Sequence, residues 1–403
     1  MYKRSPRPPR SFSGAKRRSS GRGGNSRNRK KGRDKDIDPA RFVNKAVAQD
    51  TQEAEAEAPH NTFQSFDISE KLKEAITKKG YQDPTPIQDK TIPHIITGGD
   101  VIGLADTGTG KTAAFLVPLI DKVLANKSEL VMVVAPTREL AIQIEEELKG
   151  FVEGMGIRSV CCVGGMKIGP QIRALKAHSN FIIGTPGRLR DLIDNGHIIL
   201  SRFTTLVLDE ADRMLDMGFV DEMRYLANGM PADRQTLFFS ATITPEIERL
   251  IAEFLKDPVR ISVKGRDTSK NVEQDVIRIN KSDNKLDKLI ELLQKDDFTK
   301  VLVFGRTKHG VEKLSKTLST RGVKAESIHG DKDHGRRQRA LKRFKEDHVQ
   351  VLVATDVAAR GLDIADVSHV INFDIPSTYE DYIHRIGRTG RGNKQGKAFT
   401  FLE

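Results

Sequence analysis

Two short stretches of this chain hold residues whose chemistry makes sense only in combination. The first, "ADTGTGKT" at residues 105–112, follows the apolar run "DVIGL" and fits the spacing A-x-x-G-x-G-K-T. Gly108 and Gly110 let successive backbone N–H groups converge on phosphate oxygens, Lys111 reaches toward β- and γ-phosphates, and the Thr112 hydroxyl suits Mg²⁺. The loop Ala105, Asp106, Thr107, Gly108, Thr109, Gly110 is thus a candidate nucleotide cradle. The second stretch, "LVLDEADRML" at 206–215, ends an apolar run with Asp209, Glu210 and Asp212. Beside a phosphate loop, Asp209 supplies a carboxylate for Mg²⁺, and Glu210 a second one to orient or deprotonate water. The plainer reading, Asp209 capping the next helix, leaves Glu210 without a purpose.

Such groups need a frame. From Phe63 onward, short apolar runs alternate with charge-laced helical segments: "VMVVAP", "NFIIGTP", "TTLVLDEAD" and "QTLFFSAT" read as strands buried on both faces, with helices such as "RELAIQIEEELKGF" between them. That alternation predicts a parallel α/β sheet. A second series, "KVLVFGRT", "VQVLVATD", "HVINFD" and "KAFTFLE", follows a polar stretch near residues 262–272. The expectation is two α/β domains, 63–262 and 272–403, whose polar residues collect at the carboxyl ends of the strands.

The chain has 403 residues with 67 Lys or Arg against 55 Asp or Glu, but residues 1–35 alone hold 14 basic residues and one acid, leaving 53 and 54 for the rest. The net charge of +12 therefore belongs to an Arg/Ser/Gly/Pro-rich tail with little to bury, expected to be disordered and to act as an arm for nucleic acid. Residues 37–47 carry a weak helical pattern, and 36–62 read as linker. The adjacent Cys161 and Cys162 are expected as buried, reduced thiols. No apolar run approaches the roughly 20 residues of a bilayer span, so a soluble cytoplasmic protein without membrane contact is expected.

Together with the phosphate loop, "DEAD" at 209–212, "PTREL" at 136–140, "TPGR" at 185–188, "SAT" at 240–242, "ATDVAARGLD" at 354–363 and "HRIGRTGR" at 384–391 resemble, in content and order, the DEAD-box ATP-dependent RNA helicases. The short connections are similar to the bacterial branch. The resemblance implies two RecA-like domains that close on ATP and RNA together. It implies Gln88 for adenine recognition, fitting one donor and one acceptor to the base, with Phe63 packed on the ring and Asp363 at the ribose. Arg388 and Arg391 would reach across the cleft as arginine fingers, and Ser240, Thr242 and His384 would couple the two sites. The implied RNA contacts are Thr137, Arg138, Gly165, Thr185, Gly187 and Arg188 in the first domain, and Thr307, Gly330, Arg337, Thr355 and Asp356 in the second. Groups of this type hold phosphates and sugars and carry little sequence information. The activity implied is sequence-tolerant local unwinding of short duplexes or remodelling of RNA–protein complexes, by a monomeric core with partners left open.

Two positions depart from the family pattern. Asp106 stands where a neutral residue is common, and His334 where a Gln usually precedes the RNA-binding Arg337 by three. The run "KAFTFLE" ends at Glu403, where relatives continue into a helix; a partial sequence and a short second domain are the two readings. Two other functions compete: a nucleic-acid binding or annealing protein that works through its basic tail and whose ATP site is vestigial, against which Lys111, Glu210, Arg388 and Arg391 stand, and a DNA-directed motor, against which "DEAD" and the Gln88 motif stand.

Overall fold

A computed structural model describes residues 61–106, 108–263, 272–280, 284–359, 364, 367–390 and 395–402, with backbone alone at His334 and Glu380. The basic tail, the linker up to residue 60, the helix expected near 37–47, and Thr107, Asp363 and Arg391 lie outside the described residues, as does residue 334's side chain.

The first domain runs α1 (Glu70–Lys78), α2 (Pro86–Ile96), β1 (Val101–Leu104), α3 (Lys111–Ala125), β2 (Val131–Val134), α4 (Arg138–Phe151), β3 (Ser159–Cys162), α5 (Ile168–Lys176), β4 (Phe181–Gly184), α6 (Pro186–Asp194), β5 (Thr205–Leu208), α7 (Ala211–Asp216), α8 (Val220–Gly229), β6 (Gln235–Ser240), α9 (Pro245–Phe254) and β7 (Val259–Ser262). The second runs β8 (Val272–Arg278), α10 (Lys285–Leu293), β9 (Val301–Phe304), α11 (Lys308–Thr320), β10 (Ala325–Ile328), α12 (His334–Lys345), β11 (Val351–Ala354), α13 (Asp356–Ala359), β12 (His369–Asn372), α14 (Tyr379–Ile386) and β13 (Gly396–Leu402).

Both sheets are parallel throughout, in the orders β3-β4-β2-β5-β6-β1-β7 and β10-β11-β9-β12-β13-β8. Alternate strand residues feed two cores. Val131, Val133, Val207 and Phe239 pack on one face of the first sheet, and Met132, Val134, Leu208 and Phe238 on the other. The second sheet repeats this, with Leu302, Phe304 and Leu352 opposite Val301, Val303 and Val351. Parallel strands covered by helices on both faces lose their alternation and read as unbroken apolar runs. The edge strands differ: β7 is exposed at Val259, Arg260 and Ser262, and β8 alternates between buried and exposed positions. The two flank the stretch near 262–272 that the sequence marks as polar. Cys161 and Cys162 are free, and burial pushes both thiols up, Cys162 to about 12.

Strand order sorts the motifs. The neighbours β5, β6 and β1 deliver "DEAD", "SAT" and the phosphate loop side by side, while β3, β4 and β2 deliver Gly165, "TPGR" and "PTREL". In the second sheet β10, β11 and β9 deliver Gly330, Thr355 and Thr307.

Candidate active site and nucleic-acid interface

Helix α3 starts from a loop only glycine fits. Gly108 and Gly110 have φ of 83° and 94°, and a Cβ at Gly110 would stand 2.4 Å from Gln88 Nε2. The loop is tied from three sides. Ala105 N donates to Ser240 O (3.1 Å), Thr109 Oγ1 donates to Asp106 O (2.8 Å), and Gln88 Nε2 donates to Gly110 O (3.0 Å) while its Oε1 accepts from Thr85 N (2.9 Å). Gln88 thus clamps the phosphate loop to α2 and keeps one N–H and one lone pair for a base. Phe63 is 2% exposed, edge-on to Phe66 and Tyr81; Asn61, two residues earlier, is held by Asp89 beside Gln88. It is a core aromatic backing this corner, not an open platform. Inside the loop Lys111 is buried and its ammonium sits 2.7 Å from Ala105 O, with Thr112 in the same first turn of the helix. A cradle with a cation at its centre, at a helix N-terminus, is matched to phosphate.

The three carboxylates beyond β5 divide the labour. Asp209 is 2% exposed, and burial raises its carboxyl to about 7 against the pull of Lys111. A buried carboxylate of this kind is a hard-oxygen site that gains from a dication. Among the described residues no group of three carboxylate, His or Cys ligands gathers anywhere, so an ion here would be shared with phosphate oxygens and water. Glu210 takes a left-handed backbone, φ 51° and ψ 53°, as the N-cap of α7. For a non-glycine residue such a conformation costs about 1–3 kcal/mol and recurs at functional sites. Burial alone would raise its carboxyl; Arg213, Lys111 and Arg388 together outweigh that and hold it below the usual range. Asp212, left without a role by the motif reading, accepts from Ala241 N (3.0 Å), Thr242 N (3.0 Å) and Thr242 Oγ1 (3.2 Å). It locks "DEAD" to "SAT", and Ser240 Oγ in turn donates to Thr242 O (2.8 Å).

Arg213 is a further residue the sequence reading missed. Its Nη1 donates to Glu210 Oε2 (2.7 Å) and its Nη2 to Val357 O (3.4 Å), so one buried guanidinium spans from the first domain to the second. Its i+3 spacing from Glu210 on α7 was the available signal. Arg388 is buried, with Nε donating to His384 O (3.2 Å).

The residues assigned to RNA converge from both domains. Thr137 caps α4, accepting from Leu140 N (3.3 Å); Arg138 lies against Gly165, whose φ is 75°. Arg188, on α6 behind Thr185 and Gly187, donates to Gln171 Oε1 (3.0 Å) and Met166 O (3.4 Å). Arg337 of α12 reaches the first domain and pairs with buried Glu139 at 2.9 Å. Burial, then the charges of Arg337 and Arg188, pull the Arg138 pKa down; Glu139 opposes them. Thr307 caps α11, accepting from Gly310 N (3.0 Å), and Gly330 is exposed. Thr355, half-buried, leads into α13. Asp356 is different: both carboxylate oxygens face Arg385, at 2.5 and 2.8 Å, a pair that pins α13 to α14. Its carboxylate is spent on structure, so it positions the neighbouring loop instead of offering an open contact.

Fold and site together define a two-domain, parallel-sheet nucleoside triphosphatase with contacts between its two domains beside the carboxylates. The DEAD/DEAH box helicase model matches residues 85–250 and the helicase conserved C-terminal domain model residues 284–393. The chain is 47% identical over 343 residues to the DEAD-box ATP-dependent RNA helicase CshA of Bacillus subtilis, covering 85% of this chain and 69% of that protein. The Geobacillus kaustophilus CshA matches at the same identity over 73% of its length. The chain belongs to the DEAD-box ATP-dependent RNA helicases, ATP-hydrolysing enzymes, and its curated relatives here are bacterial. Solved structures agree. DEAD-box helicase Mss116 bound to ssRNA and UDP-BeF superimposes with a TM-score of 0.77 at 31% identity, covering 84% of this chain and 74% of that one. Saccharomyces cerevisiae Dbp5 bound to RNA and ADP BeF3 gives 0.75 at 29%, covering 85% and 89%. A DEAD box protein from Methanococcus jannaschii gives 0.50 at 37%, covering 85% and 93%.

Proposed function

We propose that domains 63–262 and 272–403 close around ATP and one strand of RNA, and that closure both completes the hydrolytic site and bends the strand so that short duplexes open locally. The observation that carries this reading is that the domains meet at both sites: Arg213, bonded to Glu210 Oε2 (2.7 Å), also donates to Val357 O (3.4 Å) of the second domain, and Arg337 pairs with Glu139 (2.9 Å) of the first.

In this reading the phosphate loop and Lys111 bind the triphosphate, and Gln88 selects adenine. Asp209 and Thr112 would hold Mg²⁺, which would supply positive charge to the phosphate oxygens. Glu210, kept ionised by its three cationic neighbours, orients the attacking water and takes its proton. Arg388 stabilises charge developing on the transferred phosphoryl group, with Arg391 assigned the same task on the family pattern. Asp212 carries the state of the site into the "SAT" segment, and Arg213 ties Glu210 to α13. The RNA path runs over Arg138, Arg188 and Arg337: three guanidiniums from both domains, with the charges of Arg337 and Arg188 both bearing on Arg138, call for a polyanion. No helix among the described residues is long and apolar enough to cross a membrane, and a cytoplasmic enzyme with a monomeric core fits.

Glu210→Gln tests the assignment. The amide keeps an acceptor for Arg213, so nucleotide and RNA affinities should stay within a few-fold, while RNA-stimulated hydrolysis should drop by about 10²-fold or more, the usual share of a general base. Hydrolysis near the parent rate would overturn the assignment.

A further inference from the structure

The residues that the proposed RNA path takes from the second domain stand on separate elements. Thr307 caps α11, Gly330 follows β10, and Arg337 lies in the first turn of α12. Registered pairing of β9, β10 and β11 ends at Phe304, Ile328 and Ala354, before any of these residues. Something else must set their spacing. We infer that Glu312, on the second turn of α11, is the positioning residue that holds this RNA-facing set together; the inference rests on the RNA path proposed above.

One carboxylate gathers all three segments. Glu312 Oε2 accepts from Ser327 Oγ (2.5 Å) and from His329 Nε2 (3.2 Å), and pairs with Lys332 Nζ (3.4 Å). Oε1 faces Lys316 Nζ at 3.1 Å. Ser327 belongs to β10, His329 immediately precedes Gly330, and Lys332 precedes Asp333, the N-cap of α12 whose Oδ1 accepts from Arg336 N (2.9 Å). Lys332 Nζ also donates to Ser327 O (3.0 Å), folding the 327–332 loop onto itself. Ser327 and His329 are buried at 1% and 6% exposure. The carboxylate accepts only, so it requires a hydrogen on His329 Nε2. Among the described residues Nδ1 is buried without a hydrogen-bond partner, so the Glu312 bond is the polar contact that orients the imidazole. The Ser327 hydrogen bond, ahead of opposing burial and with help from His329, Lys316 and Lys332, holds Glu312 at about 2, ionised under all working conditions. The helix itself is anchored by buried Val311, Leu314 and Leu318, so the carboxylate can be altered without removing the packing of α11.

The experiment compares the full chain with Glu312→Gln, Glu312→Asp and Gly330→Ala, reading four quantities: affinity for a fluorescent ATP analogue, turnover at saturating single-stranded RNA, the RNA concentration for half-maximal stimulation, and the thermal midpoint. Glu312→Gln puts an amide donor among donors and loses charge-assisted hydrogen bonds, so the half-maximal RNA concentration should rise about tenfold, with nucleotide affinity and saturated turnover within about twofold. Glu312→Asp keeps the charge at shorter reach and should fall between; it carries the test should Glu312→Gln melt early. A Cβ at Gly330 meets nothing within 4 Å, so Gly330→Ala probes the RNA path without touching Glu312. An RNA requirement raised by Gly330→Ala and unmoved by both Glu312 variants overturns this inference alone. Nucleotide affinity and turnover lost in parallel with the RNA response overturn it too, since that is a folding defect. An RNA requirement unmoved by Gly330→Ala as well sinks the RNA path itself.

Discussion

At the scale of single residues, glycines separate what holds the chain from what meets RNA. Gly165 has φ 75°, and a Cβ there would stand 2.1 Å from Arg138 Nη1. Gly187, by contrast, has ordinary backbone and empty space around its missing Cβ. Gly165→Ala should therefore cost stability, by about 1 kcal/mol or more from the left-handed backbone alone, and displace Arg138. Gly187→Ala should leave the thermal midpoint nearly unchanged, or raise it slightly through the unfolded chain, yet raise half-maximal RNA several-fold if a phosphate backbone packs against that surface. A melt and an RNA titration of each variant check this; an unmoved RNA requirement in Gly187→Ala removes that residue from the path. The motif spellings drew attention to both glycines, but which one has room depends on φ and on a side chain from another strand, and neither is written in the local sequence. The same holds for Asp356 and Arg385, whose pairing joins residues 29 apart.

At the scale of elements, legibility followed position in the sheet. The nine strands that read as apolar runs are the interior ones, and the four that did not stand out, β3, β7, β8 and β10, are the four sheet edges. An interior strand buries both faces and advertises itself, whereas an edge strand keeps polar residues toward water. Interior strand β12 carries an exception with a consequence for pH. His369 is 3% exposed, stacked on Phe298 at 3.8 Å and on Phe399 at 5.9 Å, and lines a cavity of about 350 Å³. Burial lowers its pKa from 6.5 to about 4, with Asp297 pulling upward and Lys397 downward. The unfolded chain binds this proton more readily than the folded one between those values. The stability due to neutral His369 is thus complete above about pH 6.5 and is lost as pH falls toward 4, by on the order of 2 kcal/mol after allowing for solvent at the cavity. In His369→Phe, where the cavity leaves room for the larger ring, the unfolding midpoint should depend less steeply on pH across that window. Parallel curves for the two proteins would show that another group controls acid unfolding.

At the scale of the whole molecule, contacts among the described residues that tie the domains include Arg337 to Glu139 and Arg213 to Val357. The Methanococcus jannaschii protein is more identical to this chain than Mss116 is, yet superimposes with 0.50 against 0.77. Greater identity with poorer global superposition is what a different setting of the same two domains produces. What the chain outside residues 1–35 lacks is net charge, because basic and acidic residues there number 53 and 54. The 14 basic residues of 1–35 are therefore expected to dominate long-range attraction to RNA. Each single-strand phosphate neutralised adds about 0.7 to the slope of log affinity against log salt. If roughly 4 to 6 of these side chains engage phosphates together, deleting residues 1–35 should flatten that slope by about 3 to 4 units. Saturated hydrolysis should survive, since every catalytic residue named here lies beyond Phe63. The RNA concentration for half-maximal stimulation should rise, as expected when a tether that raises local RNA concentration is removed. RNA-stimulated hydrolysis of the full and shortened chains at several salt concentrations reads both quantities. Identical slopes would mean that the tail's charge is not used on RNA, and that the arginines shared across the cleft carry the phosphate contacts unaided.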